Sequence, residues 1–199
     1  MNAQTAVVWV WVIWYATWIA AVIFSARTKV QMGKDAAGVH RALASIGVVL
    51  LFIPDGWASA GVLSRPLWIA PAGVAWGLLA LVLAGFGFCW WARLHLGRLW
   101  SGFVTLKEDH HIVDTGPYAL VRHPIYSGVM FSALMTALMK ASPASMAGCV
   151  LVCVGFAMTA RVEEGFLRSQ LGAEAYDAYS RRVPMLVPGL ERLAARGKG

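Results

Sequence analysis

The densest run of chemically capable residues lies between Thr115 and Gly128, and reads Thr-Gly-Pro-Tyr-Ala-Leu-Val-Arg-His-Pro-Ile-Tyr-Ser-Gly. Gly116-Pro117 signals a turn. Pro124 biases His123 toward an extended backbone and itself suits the first position of a helix. Arg122 and His123 therefore stand at a helix entry, where free N–H groups and the helix dipole favour an anion. Tyr126 falls within that first turn, and Gly128 omits a side chain so that a ligand or another helix can approach. Contact with lipid head groups is the plainer use for Arg122 and His123. The flanking Gly-Pro-Tyr and Tyr-x-Gly favour binding.

A second cluster, Arg161-Val-Glu163-Glu164-Gly-Phe-Leu167, puts two adjacent carboxylates at the end of an apolar run. Carboxylates are costly inside a membrane and unfavourable at a helix C-terminus. Arg161 and Arg168 stand at i−3 and i+4 from Glu164, so a solvated, self-paired helix face is one reading. The other is that a carboxylate holds a cationic ligand. A helical hairpin between the clusters would bring them together, one offering anion-binding and the other cation-binding groups. That pairing suits a zwitterion with an α-amino acid end. No metal site is expected: adjacent His110 and His111 do not readily converge on one ion, and Cys89, Cys149 and Cys153 sit in apolar runs without ligand spacing.

The elements that must position these clusters are apolar. Ala6–Ala26 is free of charge and long enough to cross the hydrocarbon. Arg27 and Lys29 follow it, and no basic segment precedes it, so it reads as a span rather than a secretory signal. Ala36–Ala60 is a second span, interrupted by Pro54-Asp55, with Asp55 near the outer mouth. Leu67–Ala92 is a third. Ile125–Met139 and Ala144–Ala160 form a tight hairpin about Lys140-Ala-Ser-Pro143. From Arg161 the chain turns polar and amphipathic. Residues 1–92 thus form a three-helix scaffold, and 93–199 a cofactor-binding region with hairpin 125–160 and a tail.

Composition agrees. Of 199 residues 59% are hydrophobic and only 14% charged, where a soluble domain carries about 25% charged. Ten Trp and eight Phe exclude disorder. The net charge of +7 is a topology signal rather than a nucleic-acid footprint. Lys and Arg number 4, 1, 4, 1 and 7 in the successive connections and the tail, with Arg41 at the head of the second span counted in the first. That alternation predicts an all-α integral membrane protein of about five transmembrane helices. It places the N-terminus outside and the catalytic loop and amphipathic C-terminal helix in the cytoplasm.

Gly116-Pro-Tyr-x-x-x-Arg-His-Pro-x-Tyr-x-Gly128, followed by Glu163-Glu164-x-x-Leu167, resembles the isoprenylcysteine carboxyl methyltransferase family. That family is itself similar to the phospholipid methyltransferases, and both use S-adenosylmethionine within the membrane. The resemblance extends to Leu96-Gly97-Arg98-x-Trp100-Ser101 and to Tyr176-x-x-Tyr179-x-x-Arg182-Val-Pro184, covering roughly residues 90–190. It implies a cofactor pocket of His111, Val113, Gly116, Tyr118, Arg122, His123, Pro124, Tyr126 and Gly128, closed by Glu163 and Glu164. The cofactor leaves as S-adenosylhomocysteine.

A carboxylate acceptor needs no general base, so the expected device is an arginine that orients it, with Arg122 and Arg182 as candidates. Arg93, Arg98 and Trp100 would contact the acceptor from the other wall. With an amine acceptor, Glu163 or His123 would be the base. The acceptor is lipophilic or lipidated and arrives through the bilayer, most like a prenylated cysteine. Phospholipid and thiol acceptors stay open, as does a non-catalytic carrier or assembly protein.

Overall fold

The computed structural model describes residues 1–21, 28–31, 38–54, 56–97, 105–107 and 112–189. Five apolar helices form the bundle: α1 Ala3–Ala20, α2 Gly38–Leu51, α3 Ala72–Leu96, α4 Pro124–Lys140 and α5 Pro143–Leu171. A short helix, α6 Ala173–Arg182, follows. Among the described residues the regular structure is helical apart from a two-stranded antiparallel ladder of β1 Thr28–Gln31 and β2 Thr105–Lys107. This ladder ties the α1–α2 connection to the α3–α4 connection. Helices α1, α3 and α5 are long and apolar enough to cross a membrane. At 1.5 Å per residue α4 spans about 26 Å and α2 about 21 Å.

The helix ends follow local chemistry. Asn2 caps α1, its side chain accepting from Thr5 N at 2.8 Å. Ser142 and Ser145 form a reciprocal capping box at the start of α5, with Pro143 in the first turn. Only Ala141 and Ser142 separate α4 from α5, so the expected hairpin is present and tight. Two boundaries differ from expectation. The second span stops at Leu51 because Pro54 forces the residue before it out of the helical region. The chain from Ala58 to Ser64 is then 3-10 helix, kinked at Gly61. Helix α5 runs past Ala160 to Leu171, so Glu163 and Glu164, expected at the helix end, lie two turns inside it.

Within the bundle, missing side chains let backbones touch. A Cβ on Gly47 would lie 2.7 Å from Gly148 O, and one on Gly148 would lie 2.5 Å from Gly47 O. Gly155 abuts His40 and Ala44 in the same way, so α2 packs antiparallel along α5. Gly85 and Gly128 make the matching approach between α3 and α4, where Ser132 Oγ donates to Val82 O at 3.1 Å. Close small-residue crossings of this kind hold helices together where lipid removes the hydrophobic drive. Helix α1 is added by Trp11 Nε1, which donates to Thr136 Oγ1 at 3.1 Å. Gln4 Nε2 adds a bond to Met139 O. Successive helices alternate in direction, so the C-terminal ends of α1, α3 and α5 share one end of the bundle with the N-terminal ends of α2 and α4.

Candidate active site

That shared end carries the two polar clusters, and the hairpin brings them into contact. Arg122 Nε donates to Glu164 Oε1 at 2.6 Å and Nη2 donates to Oε2 at 3.1 Å, a bidentate pair. His123 Nε2 lies 3.1 Å from the same Oε1. Tyr126 OH donates to Glu163 Oε2 at 2.8 Å, and His123 Nδ1 stands 3.7 Å from that oxygen. The His123 and Tyr126 rings are coplanar within 1° and 5.3 Å apart, one turn apart on the α4 entry. Pro124 puts them there: it occupies the first turn, is buried, and leaves His123 as a non-helical N-cap at φ −122° and ψ 64°, short of the extended backbone that the residue before a proline favours.

The network holds one guanidinium against two carboxylates. Glu164 is the satisfied member, facing Arg122 and His123. Glu163 is more open, with 26% of its side chain exposed and Oε1 unpartnered among the described residues. An uncompensated carboxylate oxygen at the mouth of a membrane bundle is a receptor for an ammonium or another cation.

The chain after α6 closes the site from outside. Arg122 N donates to Pro184 O at 2.9 Å, His123 N to Met185 O at 3.1 Å, and Ser127 Oγ to Leu186 O at 2.6 Å. Arg122 Nη1 adds bonds to Ser180 O and Val183 O. The N–H groups of residues 122 and 123 are thus occupied by the chain's own carbonyls, not open to an anion. Arg122 spends four hydrogen bonds on Glu164 and this strap, which makes it a positioning residue here. Ser127, Ser180 and the 183–186 carbonyls were not foreseen. Backbone acceptors leave no residue-type signal.

Tyr118 is buried beneath the loop, and burial, reinforced by Glu163, pushes its phenol well above the ordinary value. Tyr179 OH donates to Tyr118 O at 2.8 Å and locks α6 to that loop. His95, which the motifs did not single out, supports the same turn: its Nε2 is 2.9 Å from Thr115 Oγ1 and its ring lies under Gly116. Gly116 has φ +56°, and a Cβ there would sit 2.7 Å from that ring. Gly128 faces α3, where a Cβ would meet Cys89 Sγ at 2.5 Å, so its bareness serves the helix crossing rather than a ligand. Arg182 is exposed and pairs with Asp114 at 3.1 Å, not with the glutamates. Arg93 is buried at the end of α3 and donates to Ala21 O. Val113 is half-buried beside the loop. His111, Arg98, Trp100 and Asp55 lie outside the described residues.

The fold and this site define a polytopic membrane protein whose polar chemistry gathers at one end of a helical bundle. A family model described as the isoprenylcysteine carboxyl methyltransferase family matches residues 78–168. The chain is 30% identical over 174 residues to protein-S-isoprenylcysteine O-methyltransferase B of Arabidopsis thaliana, covering 86% of this chain and 85% of that protein. It is 34% identical over 115 residues to a probable protein-S-isoprenylcysteine O-methyltransferase of Oryza sativa subsp. indica, covering 57% of this chain and about half, 54%, of the relative. A third similarity, 29% over 128 residues, is to the cobalt-zinc-cadmium resistance protein CzcN of Cupriavidus metallidurans, covering 62% of this chain and 52% of that protein. The chain belongs to the isoprenylcysteine carboxyl methyltransferase family, and is a membrane methyltransferase.

Proposed function

We propose that this protein transfers a methyl group from S-adenosylmethionine to the carboxylate of a lipophilic acceptor, a prenylated cysteine in the first instance. The observation that carries the reading is the open Glu163 carboxylate beside a satisfied Glu164–Arg122–His123 set. The donor's amino acid end carries an ammonium, which Glu163 Oε1 would receive, while Tyr126 fixes the other oxygen. The donor set therefore fits. His111, Val113, Gly116, Tyr118, His123, Pro124 and Tyr126 would line the rest of that pocket. Arg122 holds Glu164 and the strap in register.

When bound, S-adenosylmethionine supplies a methyl group on a sulfonium, an electrophile that a carboxylate oxygen can attack in line. Such a transfer would exchange an S–CH3 bond for an O–CH3 bond without moving a proton, so the acceptor carboxylate would need no base from the protein. Catalysis then rests on orientation and exclusion of water, which the buried Tyr118 loop and the strap supply. Residues 93–199 would carry this chemistry and 1–92 would serve as scaffold. The excess of basic residues at the site end supports a cytoplasmic active site, with the N-terminus outside.

The test is calorimetry of S-adenosylmethionine binding in detergent, together with transfer of labelled methyl to farnesylcysteine, phosphatidylethanolamine and simple thiols. The expected result is binding that Glu163→Gln abolishes and labelling of farnesylcysteine alone. Undiminished binding by Glu163→Gln, or labelling confined to another acceptor, overturns the reading.

A further inference from the structure

One side chain that reaches the glutamate site carries no polar group. Phe156 lies seven residues before Glu163 on α5. At 100° and 1.5 Å per residue, the two fall on nearly the same face, about 10 Å apart along the axis. Gly155 fixes that face, because its missing Cβ lets α5 seat against His40 O and Ala44 of α2, while Phe156 turns toward α4. There its ring meets the ring of Tyr126, with centroids 5.1 Å apart and planes at 39°. That spacing is within the range of an attractive aromatic pair. The His123 ring makes a second contact with Tyr126, stacked at 5.3 Å. The Tyr126 hydroxyl donates to Glu163 Oε2 at 2.8 Å. The phenol therefore bridges two turns of α5, its ring at Phe156 and its hydroxyl at Glu163. Phe156 also packs against the apolar core, so this pair joins the core to the site.

We propose that Phe156 is a positioning residue for the donor site: its ring holds the Tyr126 phenol along α5, so that the hydroxyl occupies Glu163 Oε2 and leaves Oε1 for the donor's ammonium. The assignment rests on the S-adenosylmethionine site proposed above and adds to it a residue that no polar motif marks. A hydroxyl alone does not fix its ring, since a change of χ1 rotamer carries the phenol off the carboxylate. Packing the ring against Phe156 and His123 removes those alternatives. Glu163 is the more exposed of the two glutamates, and the Tyr126 hydrogen bond is what gives its carboxylate a defined direction. Without it the side chain regains rotamer freedom, which an ammonium must then remove on binding. Phe156 has no group to offer the ammonium, so its influence there passes through Tyr126.

The experiment uses the full chain in detergent, with S-adenosylmethionine binding measured by calorimetry in a double-mutant cycle of Phe156→Leu and Tyr126→Phe. Phe156→Leu should weaken binding about threefold to tenfold, the worth of one aromatic pair. Phe156→Tyr, which keeps the ring, should restore it. In the Tyr126→Phe background Phe156→Leu should add little, because the hydroxyl through which it acts is gone. Additive losses, or undiminished binding in Phe156→Leu, overturn the proposal. Fluorine NMR of protein labelled with 3-fluorotyrosine reads the same coupling without cofactor. The Tyr126 signal, assigned by its loss in Tyr126→Phe, should shift in Glu163→Gln. Phe156→Leu should move that signal and abolish its response to Glu163→Gln; an unaltered response overturns the positioning role. Should Phe156→Leu misfold, shown by displacement of the remaining tyrosine signals, Phe156→Met carries the same expectations. Fluorine coupling in a wild-type protein that binds no S-adenosylmethionine would sink the donor reading instead, leaving the Phe156–Tyr126–Glu163 linkage in place.

Discussion

Replacing Arg122 by lysine tests whether this residue positions the site or handles substrate. The guanidinium reaches Glu164 through Nε and Nη2, and the carbonyls of Ser180 and Val183 through Nη1. Its side chain is 9% exposed and that of Glu164 19%, so water replaces little of what is lost. A lysine ammonium places three donors at one point and cannot span both sets of acceptors. It will keep the carboxylate and release the two carbonyls. Hydrogen bonds from a charged donor contribute about 1.5–3 kcal/mol each. With the strap's remaining bonds at Pro184, Met185 and Leu186 intact and some rehydration, the expected loss is about 2–4 kcal/mol. Chemical unfolding in detergent measures it, and limited proteolysis reports whether residues 183–189 are cut faster. S-adenosylmethionine affinity should fall with the loosened strap, while acceptor KM stays near wild type. Wild-type stability and strap protection, with kcat alone reduced, would refute the positioning role and return Arg122 to direct contact with substrate.

Gly128→Ala places a Cβ 2.5 Å from Cys89 Sγ and 2.6 Å from Gly85 O; overpacking of this kind costs about 1–3 kcal/mol, read as a lowered Tm, and an unchanged Tm would show slack in the α3–α4 crossing. Tyr179→Phe removes the bond to Tyr118 O and should cost about 1 kcal/mol in the same assay, with faster proteolysis of α6. Arg182→Ala breaks an exposed pair with Asp114 and should change stability by less than about 1 kcal/mol; a collapse of kcat there would instead mark contact with the acceptor. The Asp177 carboxyl is held below the usual carboxylate range by its hydrogen bonds to Arg168. Its contribution to docking α6 on α5 is therefore fully present above the unfolded carboxyl value and is lost as pH falls through the depressed folded one. Proteolysis of α6 should be flat between about pH 5 and 8 and accelerate only in strong acid.

The apolar helices were legible because hydropathy and length report them directly, and α4 begins and ends within a residue of expectation. The meeting of Arg122-His123 with Glu163-Glu164 was legible too, since Pro143 and the small residues around it admit only a short turn. What escaped falls into two physical classes. Helix α5 continues past Ala160 because a helix does not end where its apolar face does; Arg161 to Leu171 stays helical while its residues turn polar. The strap escaped because its bonds are made by main-chain carbonyls of Ser180, Val183, Pro184 and Met185, whose residue types carry no trace of them. The ladder of β1 and β2 is shorter than any pattern that could announce it. Gly128 was readable only as a close approach, and the sequence could not say whether a ligand or Cys89 and Gly85 filled the space.

The geometry of the site follows from the inequality of the two hairpin helices. Helix α4 occupies 17 residues before the turn and Glu164 stands 22 residues beyond Ser142. At 1.5 Å per residue, the glutamates overshoot the start of α4 by about one turn. Arg122 and His123 precede Pro124 and continue the chain outward by that same interval, so the side chains meet level with one another. Glu163 and Glu164 point about 100° apart around α5. One therefore faces the Arg122 pair and the other turns toward Tyr126, as the hydrogen bonds record. Adjacent carboxylates are thus given unequal partners by helix geometry alone. The tight, glycine-lined crossings hold that inequality fixed, since a slip of α5 by one residue would put one glutamate in the other's place and leave the vacated position to Val162 or Gly165. A rigid apolar bundle is the means by which one of two chemically identical groups is satisfied and the other left more exposed.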